Sequence, residues 1–143
     1  MVNKDVLRWF EYGDADLETA EHLLTMTRLP LEIICYHCQQ AAEKYLKGYL
    51  LHKGTFPPKT HDLDRLCAIC KEHDEEFEGI HGECERLTHY GIQPRYPNEM
   101  LIEEHHMTKA LENVRQIKAF APLQAVRNQL EQTDKEEENS SAE

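Results

Sequence analysis

Apolar residues recur at steps of three and four along most of the chain, and no segment alternates apolar and polar at strand period. The pattern predicts a first helix from about Asn3 or Lys4 to Met26, with Asn3 as N-cap and Asp5 in the first turn. Val6, Trp9, Phe10, Ala20, Leu23 and Leu24 supply much of its apolar face, while Gly13 weakens its middle by ~1 kcal/mol relative to Ala. A second helix starts near Pro30 and ends at Lys53, with Gly54 as the residue after the cap. Thr60 is the expected N-cap of a third helix from His61 to about His73, striped by Leu63, Leu66, Cys67 and Cys70. A fourth covers about Glu75 to His89, with Phe77, Ile80, Cys84 and Leu87 in step. Tyr90 to Pro97 is a loop, because two prolines and a glycine cannot continue a helix. A fifth helix runs from about Ile102 to Phe120, where Pro122 kinks or ends it, and a short helical piece follows to Leu130. The fold class is all-α.

The second helix is unlike the others. At about 100° per residue, Leu31, Ile34, Cys38, Ala41, Ala42, Tyr45 and Tyr49 share one face. Ile33, Tyr36, Gln40, Lys47 and Leu51 fall on the opposite side, where a one-sided amphipathic helix carries polar residues. Two readings follow. The helix is central to a bundle and touched on both sides by its own chain, or its second face meets a dimer mate or another partner. Glu43, Lys44 and Lys47 read as solvated charges, Glu43 and Lys47 in the favourable i, i+4 order. Gln39 and Gln40 beside Ala41 and Ala42 suit a close helix seam with hydrogen bonds across it.

Charge changes the picture at the C-terminus. The formal net charge is −11, and Glu131 to Glu143 holds six acids against one Lys. With no apolar residue larger than Ala, that stretch is expected to be a disordered acidic tail to a domain spanning residues 1–130. The remainder is still acidic, which excludes broad, nonspecific nucleic-acid binding but leaves room for a small basic site. The N-terminus lacks the apolar stretch of a signal peptide, and no apolar run is long enough to span a membrane. A cytoplasmic protein with five reduced cysteines is the expectation.

Few motifs carry chemistry. Cys35-x2-Cys38 and Cys67-x2-Cys70 have the spacing of a zinc site, but both pairs fall mid-helix on apolar stripes and read better as buried packing. No metal and no cofactor are expected: His105-His106 is too short to specify a metal, and neither phosphate-binding glycine motif is present. Serine occurs only at Ser140 and Ser141, which disfavours a serine nucleophile. The loop from Tyr90 to Pro97 is the strongest site candidate. Arg95 sits between two prolines, flanked by Tyr90 and Tyr96, an arrangement suited to phosphate or base contact or to an ion pair that pins the loop.

Three separated stretches carry a resemblance. H-C-Q-Q-A-A-E-K-Y-L-K-G-Y-L (His37 to Leu50), P-P-K-T-H-D-L (Pro57 to Leu63) and R-Y-P (Arg95 to Pro97) closely resemble the HEPN domain (higher eukaryotes and prokaryotes nucleotide-binding), in matching order and spacing over about Asp5 to Phe120. The resemblance implies an antiparallel up-and-down bundle of four to five helices, a homodimer, and for many small prokaryotic members a minimal nucleotidyltransferase partner in a toxin–antitoxin pair. Other members are metal-independent RNA endonucleases in which an Arg precedes a His by four to six intervening residues. This chain departs from that pattern. Arg86 and His89 have two residues between them, Arg65 and His73 seven, and Arg95 and His105 nine. The leading expectation is therefore a dimeric nucleotide- or partner-binding subunit using Gln40, Glu43, Lys44, Lys47, His61, Tyr90, Arg95 and Tyr96. The alternative is an RNA endonuclease with a divergent site drawn from Arg95, His61 and His89.

Overall fold

The computed structural model describes residues 2–91 and 101–142; Arg95, Tyr96 and the rest of the loop from Ile92 to Met100 lie outside the described residues. The described residues form an all-α bundle: α1 (Val2–Leu23), α2 (Leu31–His52), α3 (Leu63–His73), a 3-10 turn (Glu75–Ile80), α4 (His81–Thr88), α5 (Glu104–Lys118) and α6 (Ala121–Ala142). No helix among them is long and apolar enough to cross a membrane.

α2 is the axis of the bundle. It packs most extensively on α1 and also meets α3, α4, α5 and α6. Its inner face buries Ile34, Cys38, Ala41, Ala42, Tyr45 and Tyr49 completely or nearly so. The close α1–α2 approach depends on glycine. A Cβ on Gly48 would lie 3.0 Å from Trp9 Cβ, and one on Gly13 would lie 2.6 Å from Tyr45 Cε1. Gly13 is thus a packing requirement for the Tyr45 ring and not merely a weak point in α1. Gly54, at φ 82°, ends α2 in the left-handed conformation expected of it.

Several boundaries differ from those the sequence suggests. α1 begins at Val2, so Asn3 lies inside the helix and does not cap it. α3 begins at Leu63, two residues late. Asp62 is its cap, accepting from the backbone of Asp64 (2.9 Å) and Arg65 (3.3 Å). The Thr60 hydroxyl instead accepts from Asp62 N at 3.1 Å, closing the preceding turn. The expected fourth helix divides. Asp74 accepts from Glu76 N and starts a 3-10 turn, whose three-residue repeat puts both Phe77 and Ile80 into the core. The α-helix resumes only at His81.

The C-terminal segment is a helix and not a short piece followed by unstructured chain. Pro122 sits in the first turn of α6, where it starts the helix and breaks nothing. Leu123, Val126 and Leu130 dock inward, and no residue from Glu131 to Ser141 is buried. Helix propensity carries that stretch, since it contains strong helix formers and no Gly or Pro.

Asp14 of α1 gathers the helices at one level. It accepts from Tyr45 OH (2.7 Å) and from both terminal nitrogens of Arg127 (2.9 and 3.0 Å), and Lys118 Nζ stands 3.4 Å away. Burial pushes its pKa up, but the Tyr45 hydrogen bond and the Arg127 ion pair outweigh that and hold the carboxyl below its ordinary value. Arg127 also stacks over Phe10 and Tyr45, so its guanidinium is held by planes as well as by charge.

Candidate functional site

Three of the polar residues in the middle of α2 are buried, not solvated. Gln39 is fully buried, Glu43 is 4% exposed and Lys47 is 7% exposed. The P-P-K-T-H-D-L stretch folds back over them. Gln39 Nε2 donates to the His61 carbonyl at 2.8 Å, and its Oε1 accepts from Gln40 Nε2 at 2.8 Å. His61 Nδ1 donates to Glu43 Oε1 at 2.7 Å, while Lys47 Nζ donates to Glu43 Oε2 at 3.3 Å. Each buried amide and charge therefore finds a partner, as burial requires.

The seam reaches the last described residue before the loop that carries Arg95. Gly91 lies so close to Gln39 that a Cβ there would fall 2.8 Å from Gln39 Nε2. From the same end of α4, Thr88 Oγ1 accepts from Leu63 N at 3.0 Å and so caps α3 from outside it. Tyr90 is half-buried against the core, and burial, reinforced by Cys35 and Cys38, pushes its hydroxyl up. It is a packing residue at the loop base as much as a presented one. Alongside the seam, Lys44 pairs with Asp16 Oδ2, and His37 Nδ1 stands 2.9 Å from Asp16 Oδ1.

The candidate catalytic histidines are not brought together. His61 is held by Glu43 through Nδ1, while its side chain stays 68% exposed. His89 lines a separate cleft of about 350 Å3 with Arg86, His105, His106 and Lys109. In that cleft Arg86 Nη2 donates to the buried Asn113 Oδ1 at 3.3 Å, and His106 Nδ1 accepts from Glu103 N at 2.9 Å. All five cysteines are free and buried. Burial pushes the Cys35 thiol up to about 12 and those of Cys38 and Cys70 further. Among the described residues, no three His, Cys, Asp or Glu side chains stand together as a ligand set.

The second face of α2 is neither wholly covered nor wholly open. Ile33 is 42% exposed, Tyr36, Gln40 and Leu51 are half-buried, and Lys47 is buried. The stripe runs into a cleft of about 500 Å3 between the first half of α1, the end of α2 and the Phe56–Lys59 connection.

The HEPN domain profile matches residues 6–125. This chain belongs to the HEPN family. The match spans α1 to α5 and ends within the first turns of α6, so the bundle described above is the HEPN domain itself. The crystal structure of TT1696 from Thermus thermophilus is similar, with 25% identity and a TM-score of 0.71 over 85% of this chain and 97% of that one. No curated protein matches the chain.

Asp16, His37 and Asp14 are not legible in the sequence as site or framework residues, because their partners lie 28, 21 and 113 residues away. The one available signal is the close pair of acids at positions 14 and 16, set between the buried Gly13 and Leu17. Trp9 reads as core from periodicity alone, yet it is only half-buried and borders the larger cleft.

Proposed function

We propose that this HEPN protein is a dimeric binding subunit that acts with a minimal nucleotidyltransferase, in the manner of a toxin–antitoxin pair. The observation that carries this reading is that the seam's cations are neutralised within the chain: Lys47 and His61 share Glu43, and Lys44 sits on Asp16. His61 is anchored through Nδ1 to Glu43 and His89 lines a different part of the bundle, so the two candidate histidines do not form one acid–base pair. The half-open stripe of Ile33, Tyr36, Gln40 and Leu51 supports a protein interface along α2. Gln40, Lys44, Tyr90, Arg95 and Tyr96 then belong to the surface that a partner or nucleotide contacts.

The test is the mass of the purified protein by light scattering, alone and mixed with a nucleotidyltransferase encoded beside it. A dimer alone and a defined complex in the mixture support the reading. A monomer that forms no complex overturns it.

A second reading, metal-independent RNA cleavage, is favoured by the cleft that collects Arg86, His89, His105 and His106. It predicts cleavage in the presence of a chelator that is lost in His89→Ala.

A further inference from the structure

The half-open stripe of α2 runs out at Leu51 into the cleft between α1 and the connection from α2 to α3. Trp9 and Tyr12 line the cleft from α1, and Phe56, Pro57 and Pro58 line it from the connection. Tyr12 is 52% exposed and Phe56 81%, so two large rings meet solvent at one place. The segment that presents Phe56 is tied on both sides. Thr55 N donates to the Leu50 carbonyl and Thr60 N to the Pro58 carbonyl, each at 2.9 Å. Between them Pro57 is buried, and the two prolines fix the backbone. A ring presented on chain held this way costs a ligand little ordering entropy.

Charge marks the same place. Arg8 and Lys59 are both exposed, and Asp5 is the one acid among the lining residues. Arg8 is oriented by donating to Tyr12 OH at 3.2 Å, with its guanidinium over the Tyr12 ring. Lys47 also borders the cleft, but its ammonium belongs to Glu43 in the seam and only its apolar stem counts here. On a chain of net charge −11, a cationic rim beside uncovered rings opposes the charge of the rest of the surface. Trp, Tyr and Arg are also the residues over-represented where protein partners bind most strongly.

We propose that this cleft docks a short acidic segment of another protein. One large apolar side chain of that segment enters between Trp9, Tyr12 and Phe56, and its flanking carboxylates settle on Arg8 and Lys59. Size and charge choose this occupant. A cavity of about 500 Å3 takes one or two side chains and not a second folded domain. A basic segment would meet Arg8 and Lys59 with like charge, and a wholly apolar one would draw nothing from them. The chain's own acidic end does not fit the description, since Glu131 to Glu143 holds no apolar residue larger than Ala. The inference goes beyond the proposed function and holds whether or not the nucleotidyltransferase reading does.

Trp9 is the sole tryptophan and borders the cleft, so its emission reports occupancy. The full-length protein is titrated with a blocked synthetic peptide in which a Leu and a Phe stand between Glu residues. One control peptide replaces the Leu and Phe by Ala, and another replaces every Glu by Lys. Calorimetry repeats each titration, so binding that leaves Trp9 emission unmoved is still seen. Saturable binding of the acidic peptide is expected, with at least about tenfold weaker binding of both controls. Phe56→Ala, Arg8→Ala and Lys59→Ala change exposed side chains, and each is expected to weaken the acidic peptide severalfold while leaving the fold intact. Reversing the rim, Arg8→Glu with Lys59→Glu, is expected to turn the preference toward the Lys-bearing peptide.

No binding at millimolar acidic peptide overturns the proposal, as does equal binding of all the peptides. Binding indifferent to Phe56→Ala and to the reversed rim overturns it too. Emission that shifts on dilution of the protein alone identifies a second copy of the chain as the occupant and overturns the partner assignment. A protein that forms its complex by light scattering yet binds no peptide loses this inference and retains the proposed function. A monomer that forms no complex yet binds the acidic peptide loses the proposed function and retains the docking cleft.

Discussion

His61 Nδ1 stands 2.7 Å from Glu43 Oε1, joining the connection between α2 and α3 to a carboxylate that is almost wholly inside the bundle. The same carboxylate holds Lys47, so one buried acid fixes both a helix residue and the chain that folds over it.

That shared carboxylate makes an asymmetric prediction. Glu43→Ala strands Lys47 in a buried position and is expected to destabilise the fold by about 3–5 kcal/mol. Replacing both partners, Glu43→Leu with Lys47→Met, is expected to restore most of that loss, because two well-packed apolar residues leave no charge unpaired. Urea midpoints of the wild type, the single variant and the double variant measure it. A double variant less stable than the single one contradicts the account.

Gly13 provides a test of sign. Helix propensity alone has Gly13→Ala stabilise α1 by ~1 kcal/mol. The added Cβ would meet the Tyr45 ring at 2.6 and 2.8 Å and disturb the hydroxyl that Asp14 receives. Overpacking of that kind costs about 1–3 kcal/mol, so a net loss in thermal stability is expected.

How far the sequence reaches is visible in these two cases. α1, α2, α3 and α5 are legible, because apolar residues at three and four steps leave little choice of structure. Gly54 is legible too, since a glycine after the last periodic residue is a strong stop. Charge misleads at the end of the chain: no residue from Glu131 to Ser141 is buried, yet helix formers extend α6. Thr60 looks like the cap in place of Asp62, because both lie near the start and only the backbone path decides between them. The polar band on α2 is visible, but its burial is not. Glu43 is satisfied by a histidine 18 residues away, and no periodicity encodes that. Nor can the sequence separate His61, which the fold sets on Glu43, from His89, which lines the cleft with Arg86.

Asp14 gives a pH dependence. Its folded-state value lies below the ordinary 3.8, so it contributes stability that is fully present above that value and is lost as pH falls through the folded one. Asp14→Asn is expected to be less stable than wild type near pH 7 by about 1–3 kcal/mol, from weakened bonds to Tyr45 and Arg127. The gap between the two proteins is expected to close below pH 3.8. Urea melts of both proteins across that range check it; a gap that widens in acid contradicts the assignment.

The cysteines make a prediction about reactivity. Burial pushes Cys35 up to about 12, and Cys38, Cys70 and Cys84 are raised as well. Thiolate is the reactive form, so these thiols are expected to resist a disulfide-exchange reagent at pH 8 in the folded protein and to react fully in denaturant. Rapid reaction of Cys35 or Cys38 without denaturant contradicts the packing of α2.

Binding rather than catalysis is the central claim, and metal-free RNA turnover tests it most directly. Homogeneous protein at micromolar concentration is incubated with single-stranded RNA and a chelator, beside His61→Ala, His89→Ala and Arg95→Ala. The account predicts no cleavage above the protein-free control in any of the four. Cleavage by the wild type that His89→Ala or Arg95→Ala abolishes would contradict it and identify the protein as a nuclease.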